Sequence, residues 1–249
     1  MILMGVVNLT PDSFRPETRA MSLEAARERV ADLVARGCSI IDFGAVSTRP
    51  GAADVPVEEE WHRLEPVLGS LEMGGIPTLS VDTTSAEIVR RTYGLVGRFL
   101  VNDISAGEDD PAMLETVAEL GLPYVAMHKR GNPRSMDALT DYPQGVVKAV
   151  DEYFEGFAAK AEALSIKDWI LDPGFGFAKT AGQNWELLEN LPALRHFGRP
   201  ILVGVADKRF THTPNPFAST VQPDSVETSG SDYAERLAAE RGADILRIH

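Results

Sequence analysis

Cysteine occurs once, at Cys38, so no intrachain disulfide can form and a reducing cytosol fits best. No run of about 18 apolar residues exists, which leaves no candidate for a membrane-crossing helix. The chain opens on strand-like Ile2-Leu3-Met4 with neither a basic stretch nor an apolar signal core before it, so a cytoplasmic location is expected. Positive charge is scarce as well: 24 Lys and Arg stand against 37 Asp and Glu, a formal net charge of −13. Nucleic acid is thereby disfavoured, because its binding depends on Lys and Arg neutralising phosphates, and no basic cluster stands out. An anionic small molecule stays open, since a few well-placed cations dominate locally. Internal repeats and low-complexity tracts are absent too, so nothing reads as a linker between domains.

What is present is a rhythm. With 249 residues, 44% of them hydrophobic, the chain can bury one substantial core as a single domain. Short β-rich runs end repeatedly in a polar residue or glycine, namely Asn8, Asp42, Asp82, Asn102, His128, Asp172, Gly204 and His249, and each run but the last precedes a helical pattern. Strands are expected at 2–7, 39–43, 77–82, 99–104, 123–128, 169–172, 200–204 and 244–249. Helices are expected at 22–36, with Ser22 as cap and Gly37 as stop, and at 57–73, 85–93, 111–120, 143–164, 183–197 and 229–241. Eight strands joined by right-handed helical crossovers imply a (β/α)8 TIM barrel, its eighth helix missing from the sequence. The polar stretch 14–21 and the Thr, Ser, Pro and Asn-rich stretch 210–229 do not fit the unit, and loops at the mouth are expected after strands 1, 2 and 7.

A parallel barrel gathers its strand ends at one mouth, where active sites of such barrels lie. One Asp or Asn at a strand end is more often a turn or cap residue, but a constellation of them points to a shared site. Asp42 reads as structural, His128 as a buried histidine with a satisfied ring, and His62, His196 and His212 as surface residues without a partner pattern. Cys38 reads as a small apolar filler, and Ser13 has no histidine and acid beside it that would make it a nucleophile.

The segment Met4-Gly5-Val6-Val7-Asn8-Leu9-Thr10-Pro11-Asp12-Ser13-Phe14, followed by Ser47-Thr48-Arg49-Pro50-Gly51-Ala52, closely resembles the two signature segments of the dihydropteroate synthases. Val81-Asp82, Asn102-Asp103-Ile104-Ser105, Met127-His128 with Arg130-Gly131, Asp172 through Phe177, and Arg247-Ile248-His249 look like that family's later motifs, in order. The resemblance covers nearly the whole chain. It implies a transferase of folate biosynthesis and a sulfonamide target: 6-hydroxymethyl-7,8-dihydropterin diphosphate loses diphosphate and its methylene carbon is captured by the amine of p-aminobenzoate. It further implies a homodimer that acts on small molecules, with no nucleic-acid or membrane partner.

By the same resemblance Asp172 accepts from the pterin edge, Asn102 meets the ring, Lys208 donates to it, and Met127, Phe177 and Gly204 complete the slot. Asp82 favours the cationic pterin, and Asp82, Asp172 and Lys208 are the catalytic set. Thr48, Arg49, Arg247 and His249, with Asn8, bind the diphosphate, and Asn8 is the contact to Mg2+. Phe14, Pro50, Lys208 and the backbone near Arg209 line the aminobenzoate pocket. Three departures stand out: Arg15-Pro16-Glu17 replaces a Ser-Asp-Gly-Gly type sequence, Gly44-Ala45-Val46 replaces Gly-Gly-Glu, and Asp207 stands where the family favours arginine. An acid in place of an arginine near an anion implies weaker affinity for it. Two alternative readings remain: a corrinoid-linked methyltetrahydrofolate methyltransferase, which should lack Thr48-Arg49, and a pterin-binding paralogue without catalysis, favoured by Asp207 and Val46.

Overall fold

Stiff β-branched residues favour pleated backbone, and Val6, Val7, Ile40, Ile41, Val81, Val101, Val125 and Ile170 all lie in strands. The computed structural model describes residues 1–9, 19–47, 52, 54–70, 75–132, 134–218 and 229–249, the side chains of 19–22 excepted. Strand β1 (Ile2–Asn8) is followed by α1 (Arg19–Ala35), β2 (Ile40–Gly44) by α2 (Val57–Ser70), β3 (Leu79–Asp82) by α3 (Ala86–Val96) and β4 (Leu100–Asp103) by α4 (Met113–Leu120). The unit recurs with β5 (Tyr124–Met127), α5 (Val146–Ala163), β6 (Trp169–Asp172), α6 (Ala181–Glu189), β7 (Leu202–Val203), α7 (Gly230–Glu240) and β8 (Ile245–Ile248).

All the pairings are parallel, in the order β6-β5-β4-β3-β2-β1-β8-β7. The remaining seam, between β6 and β7, is joined by one parallel bridge from Leu171 to Ile201, beside which the Leu171 N–H donates to the Pro200 carbonyl at 3.0 Å. The eight expected strands therefore form the expected TIM barrel.

Period-two alternation sorts the strand residues. Met4, Ile40, Leu100, Val125, Leu202 and Ile245 fill the barrel's lower interior as one apolar cluster. Their outward neighbours, among them Phe43, Val101, Tyr124 and Leu171, pack against Leu33, Leu64, Ile88, Phe154 and Leu187 of the helical layer in the larger core. Each such side chain, fully buried, contributes about 1.5–3 kcal/mol. Thr180 and Ser229 open α6 and α7 with reciprocal capping boxes, and Ser85 caps α3.

Several boundaries shift by a few residues from expectation, and two of the shifts have a plain local cause. The first helix begins at Arg19, so Ser22 lies inside it; Arg19, Ala20 and Met21 are good helix formers and carry the helix backward. The sixth divides into α6 and a separate 3-10 segment, Leu191–Phe197, because Pro192 brings no N–H to continue the α-helical ladder.

Candidate active site

The same alternation that places Ile40, Leu100 and Ile245 inside the barrel aims Asp42, Asn102 and Arg247, two residues further along each strand, at its upper interior. Parallel register then sets Asp82 beside Asn102 and Met127 beside Asp172. Above them lies a cleft open to solvent, with about 550 Å³ of empty space counted together with that solvent. Nine of the residues expected at the site line it: Asp82, Asn102, Met127, Asp172, Phe177, Gly204, Lys208, Arg247 and His249. Asp172, Asn102 and Lys208 thus open onto one space.

Its floor is an ionic network around Asp42, which is fully buried. Asp42 Oδ1 accepts from Ser80 Oγ at 2.7 Å, while Oδ2 accepts from Asn102 Nδ2 at 3.0 Å and Arg247 Nε at 2.9 Å. Arg247 Nη2 reaches on to Asp82 Oδ2 at 3.0 Å. Asp42 was expected to be structural, and it does stand outside the cleft lining; what the sequence did not reveal is that it orients two of the lining residues. Burial raises the Asp82 carboxyl to about 7 against the pull of Arg247. Burial also works against the Arg247 charge, yet Asp42 and Asp82 outweigh it and raise the guanidinium pKa.

The opposite wall is the turn after β6. Asp172 Oδ1 accepts from the Gly174 N–H at 2.8 Å, and burial lifts this carboxyl to about 6 even so. Lys208 Nζ lies 4.8 Å from the centre of the Phe177 ring, a cation–π placement. Burial, and then the charge of Arg247, hold Lys208 below the usual lysine range, and the same two causes lower His249.

Other residues divide. Asn8 is exposed at the end of β1, and Arg209 is exposed and paired with Asp137 at 2.9 Å; neither lines the cleft. Phe14, Thr48, Arg49 and Pro50 lie outside the described residues, as do Arg15, Pro16 and Glu17. Asp207 is exposed with φ +53°, its N–H donating to Ser231 Oγ at 3.0 Å, and it does not line the cleft. His128 is buried, with Nδ1 3.0 Å from Lys179 Nζ, while His62 and His212 are exposed as expected. His196 is exposed as expected too, and it contacts Asp151 Oδ1 at 2.6 Å, a companion 45 residues away and beyond any local pattern.

Ile104, Phe175 and Ala206 also line the cleft without having been anticipated, since apolar residues at strand ends read as core. Lys179 was missed too, although a lysine directly after Gly-Phe-Gly-Phe-Ala was the available signal. Among the described residues no group of three or more His, Cys, Asp or Glu is placed to hold a metal ion, and no helix is long and apolar enough to cross a membrane.

A barrel whose strand ends converge on carboxylates, an amide and an ammonium beside apolar walls defines a site for a flat polar heterocycle. Residues 4–249 match the family of pterin binding enzymes, and the chain belongs to it. Within that family the chain is similar to proteins named dihydropteroate synthase. The Escherichia coli (strain K12) dihydropteroate synthase is 39% identical over 249 residues, covering 99% of this chain and 86% of the relative. The Xanthomonas albilineans dihydropteroate synthase structure with 4-aminobenzoic acid superposes with a TM-score of 0.83 at 37% identity, covering 100% of this chain and 87% of that one. The Yersinia pestis dihydropteroate synthase structure in complex with a sulfonamide drug gives 0.84 at 32% identity, covering 100% and 88%.

Proposed function

We infer that the chain is a transferase that condenses 6-hydroxymethyl-7,8-dihydropterin diphosphate with p-aminobenzoate, giving 7,8-dihydropteroate and diphosphate. The observation that carries this reading is the convergence of Asp172, Asn102 and Lys208 on one cleft. Holding a pterin takes acceptors for its amino and ring N–H groups and donors for its ring nitrogens and carbonyl, between apolar walls. Asp172 supplies the acceptor and Lys208 the donor. Asn102, which gives one amide N–H to Asp42, keeps its oxygen and its second N–H for the ring. Met127 and Phe177 are the walls, and Gly204 keeps the slot open.

Departure of diphosphate leaves a cationic pterin, which the nearby Asp82 carboxylate favours. Arg247 and His249, with Thr48 and Arg49, take the charge that develops on the leaving group. Phe14, Pro50, Lys208 and the backbone at Arg209 then shape the space for the aminobenzoate amine to attack. A magnesium ion, when bound, supplies charge neutralisation on the diphosphate oxygens. Asn8, an exposed amide at the mouth, suits such an ion as a lone protein oxygen beside phosphate and water ligands. A cytoplasmic homodimer completes the proposal, and sedimentation velocity tests the dimer.

A coupled assay of diphosphate release tests the function: release should require p-aminobenzoate for sustained turnover. Pterin binding with no release at any aminobenzoate concentration would refute it and leave the binding-only paralogue. Binding should also follow Asp172. Its carboxylate form is the stronger acceptor and brings no competing O–H, so with its pKa raised to about 6, pterin affinity should fall below that value, by up to about tenfold per pH unit. Calorimetric titration from pH 4.5 to 8 reads this directly, and a flat profile would remove Asp172 from the contact. Lys208→Ala should weaken binding of 6-hydroxymethyl-7,8-dihydropterin, which lacks the diphosphate, by about 10- to 100-fold, the 1.5–3 kcal/mol of a charged hydrogen bond. An unchanged affinity would assign Lys208 elsewhere.

A further inference from the structure

Behind the cleft wall, Lys179 is buried to 8% exposure. Its Nζ uses all three donors: 2.8 Å to the Gly174 carbonyl, 3.1 Å to the Phe177 carbonyl and 3.0 Å to His128 Nδ1. A lysine ammonium has no acceptor, so His128 must accept at Nδ1 and carry its own proton at Nε2. Burial, and then the charge of Lys179, push the His128 pKa down to about 2, which agrees with a neutral ring. None of the three partners is an acid. Burying an ammonium without an ion pair is costly, and a core that needed only packing would be better served by leucine or methionine.

The turn that Lys179 grips is the one that shapes the cleft. The Gly174 N–H binds the Asp172 carboxylate, and Phe177 is the ring beneath Lys208. Resting on the assignment of the cleft to a pterin, we propose that Lys179 is a positioning residue for the pterin: its ammonium clamps the turn that carries Phe177 and keeps Asp172 in its accepting, ionised form. The charged groups that act here come from several elements. Asp172 at the end of β6 favours the Lys179 charge, whereas Arg130 after β5 and Lys208 after β7 oppose it. Tyr153 of α5 meets the His128 ring edge-on, and the Tyr142 hydroxyl donates to the Ala178 carbonyl. Burial lowers Lys179 to about 7, so at neutral pH the clamp is still substantially charged. Lys179 in turn is one of the cations that pull Asp172 down, after the Gly174 N–H, Lys208 and Arg247.

A group that merely filled space would, once removed, weaken pterin binding equally at every pH. An ammonium that holds Asp172 ionised would, once removed, move the acid limb of binding upward. The experiment titrates 6-hydroxymethyl-7,8-dihydropterin calorimetrically into the parent chain, Lys179→Met and Lys179→Arg from pH 5 to 8. Lys179→Met should shift the limb to higher pH by up to about one unit, so that its deficit against the parent grows by as much as tenfold, the 1.36 kcal/mol of one pKa unit, between pH 8 and pH 5. Lys179→Arg keeps the charge and should keep the parent limb even if the larger head costs affinity. The same Lys179→Met deficit at pH 5 and pH 8 overturns the inference alone, as does an upward shift in Lys179→Arg, which decides the matter if Lys179→Met does not fold. Absence of pterin binding by the parent at every pH overturns the assignment of the cleft and this inference with it.

Discussion

Gly174→Ala should produce one of the two largest losses of any single substitution at this site, in stability and in pterin affinity together. Gly174 has φ +72°, and a Cβ added to it would stand 1.9 Å from the His128 carbonyl oxygen and 3.1 Å from its carbon. Both obstacles are backbone of the neighbouring strand end, so no side chain can swing aside. The left-handed conformation costs an alanine about 1–2 kcal/mol, and forcing the turn off β5 adds about 1–3 kcal/mol or more. At about 2–4 °C per kcal/mol for a chain near this size, Tm should fall by roughly 4–20 °C. The turn cannot move without disturbing the Gly174 N–H bond to Asp172 and the Gly174 carbonyl bond to Lys179, so pterin affinity should fall by more than about tenfold, the 1.4 kcal/mol of one lost bond. Gly121→Ala is the control. Gly121 also has a positive φ, +60°, but nothing stands within 4 Å of the place an alanine Cβ would take there, so it should cost only the conformational part and leave pterin binding alone. Equal melting shifts in the two variants would show that the contact with His128 is not what requires glycine.

How much of this site could be read in advance follows from which interactions are local. The strand ends were legible because polarity at the end of an apolar run is a short-range signal, and a parallel barrel gathers such ends without further information. Asp82, Asn102 and Asp172 are cases of that logic. Contacts across the barrel were not legible. Arg247 pairs with Asp42 from 205 residues away, and Lys179 meets His128 from 51; no spacing rule reaches so far. Arg209 shows the complementary failure. It follows Lys208 directly, yet the 3-10 turn Arg209–His212 carries it outward to Asp137, and the cleft keeps only Lys208. Apolar lining is the hardest to anticipate, because Ile104 and Phe175 satisfy the pattern of a core residue whether they face another side chain or a ligand. Helix ends moved for local reasons, the helix-forming Arg19-Ala20-Met21 and the break at Pro192, whereas the expected starts at Ser85 and Ser229 fall on the residues that cap α3 and α7.

Arg247→Ala should match Gly174→Ala in size but differ in its pH dependence. The family resemblance assigns this residue to the departing anion. Its guanidinium is also the only cation bonded to Asp42 and Asp82 among the described residues, at 2.8 Å and 3.0 Å. Removing one partner of such a buried set costs about 3–5 kcal/mol, because the carboxylates left behind are uncompensated; that corresponds to a Tm fall of roughly 6–20 °C. Asp82 already sits at about 7 with Arg247 present, and without it the pKa must rise further. A carboxyl whose folded pKa exceeds its unfolded value of about 3.9 destabilises the fold fully above the folded pKa, and the penalty fades as pH falls toward the unfolded one. The deficit of Arg247→Ala against the parent should therefore be largest at pH 8 and clearly smaller at pH 5. Arg247→Lys should fall between, since an ammonium restores charge but cannot fork between two carboxylates. Affinity for the pterin diphosphate should drop more than affinity for the pterin lacking it, and the difference between those two losses isolates the contribution to the anion. A Tm deficit that is the same at pH 5 and pH 8 would mean that the two buried carboxylates do not depend on Arg247, and the floor of the cleft would need a different electrostatic account.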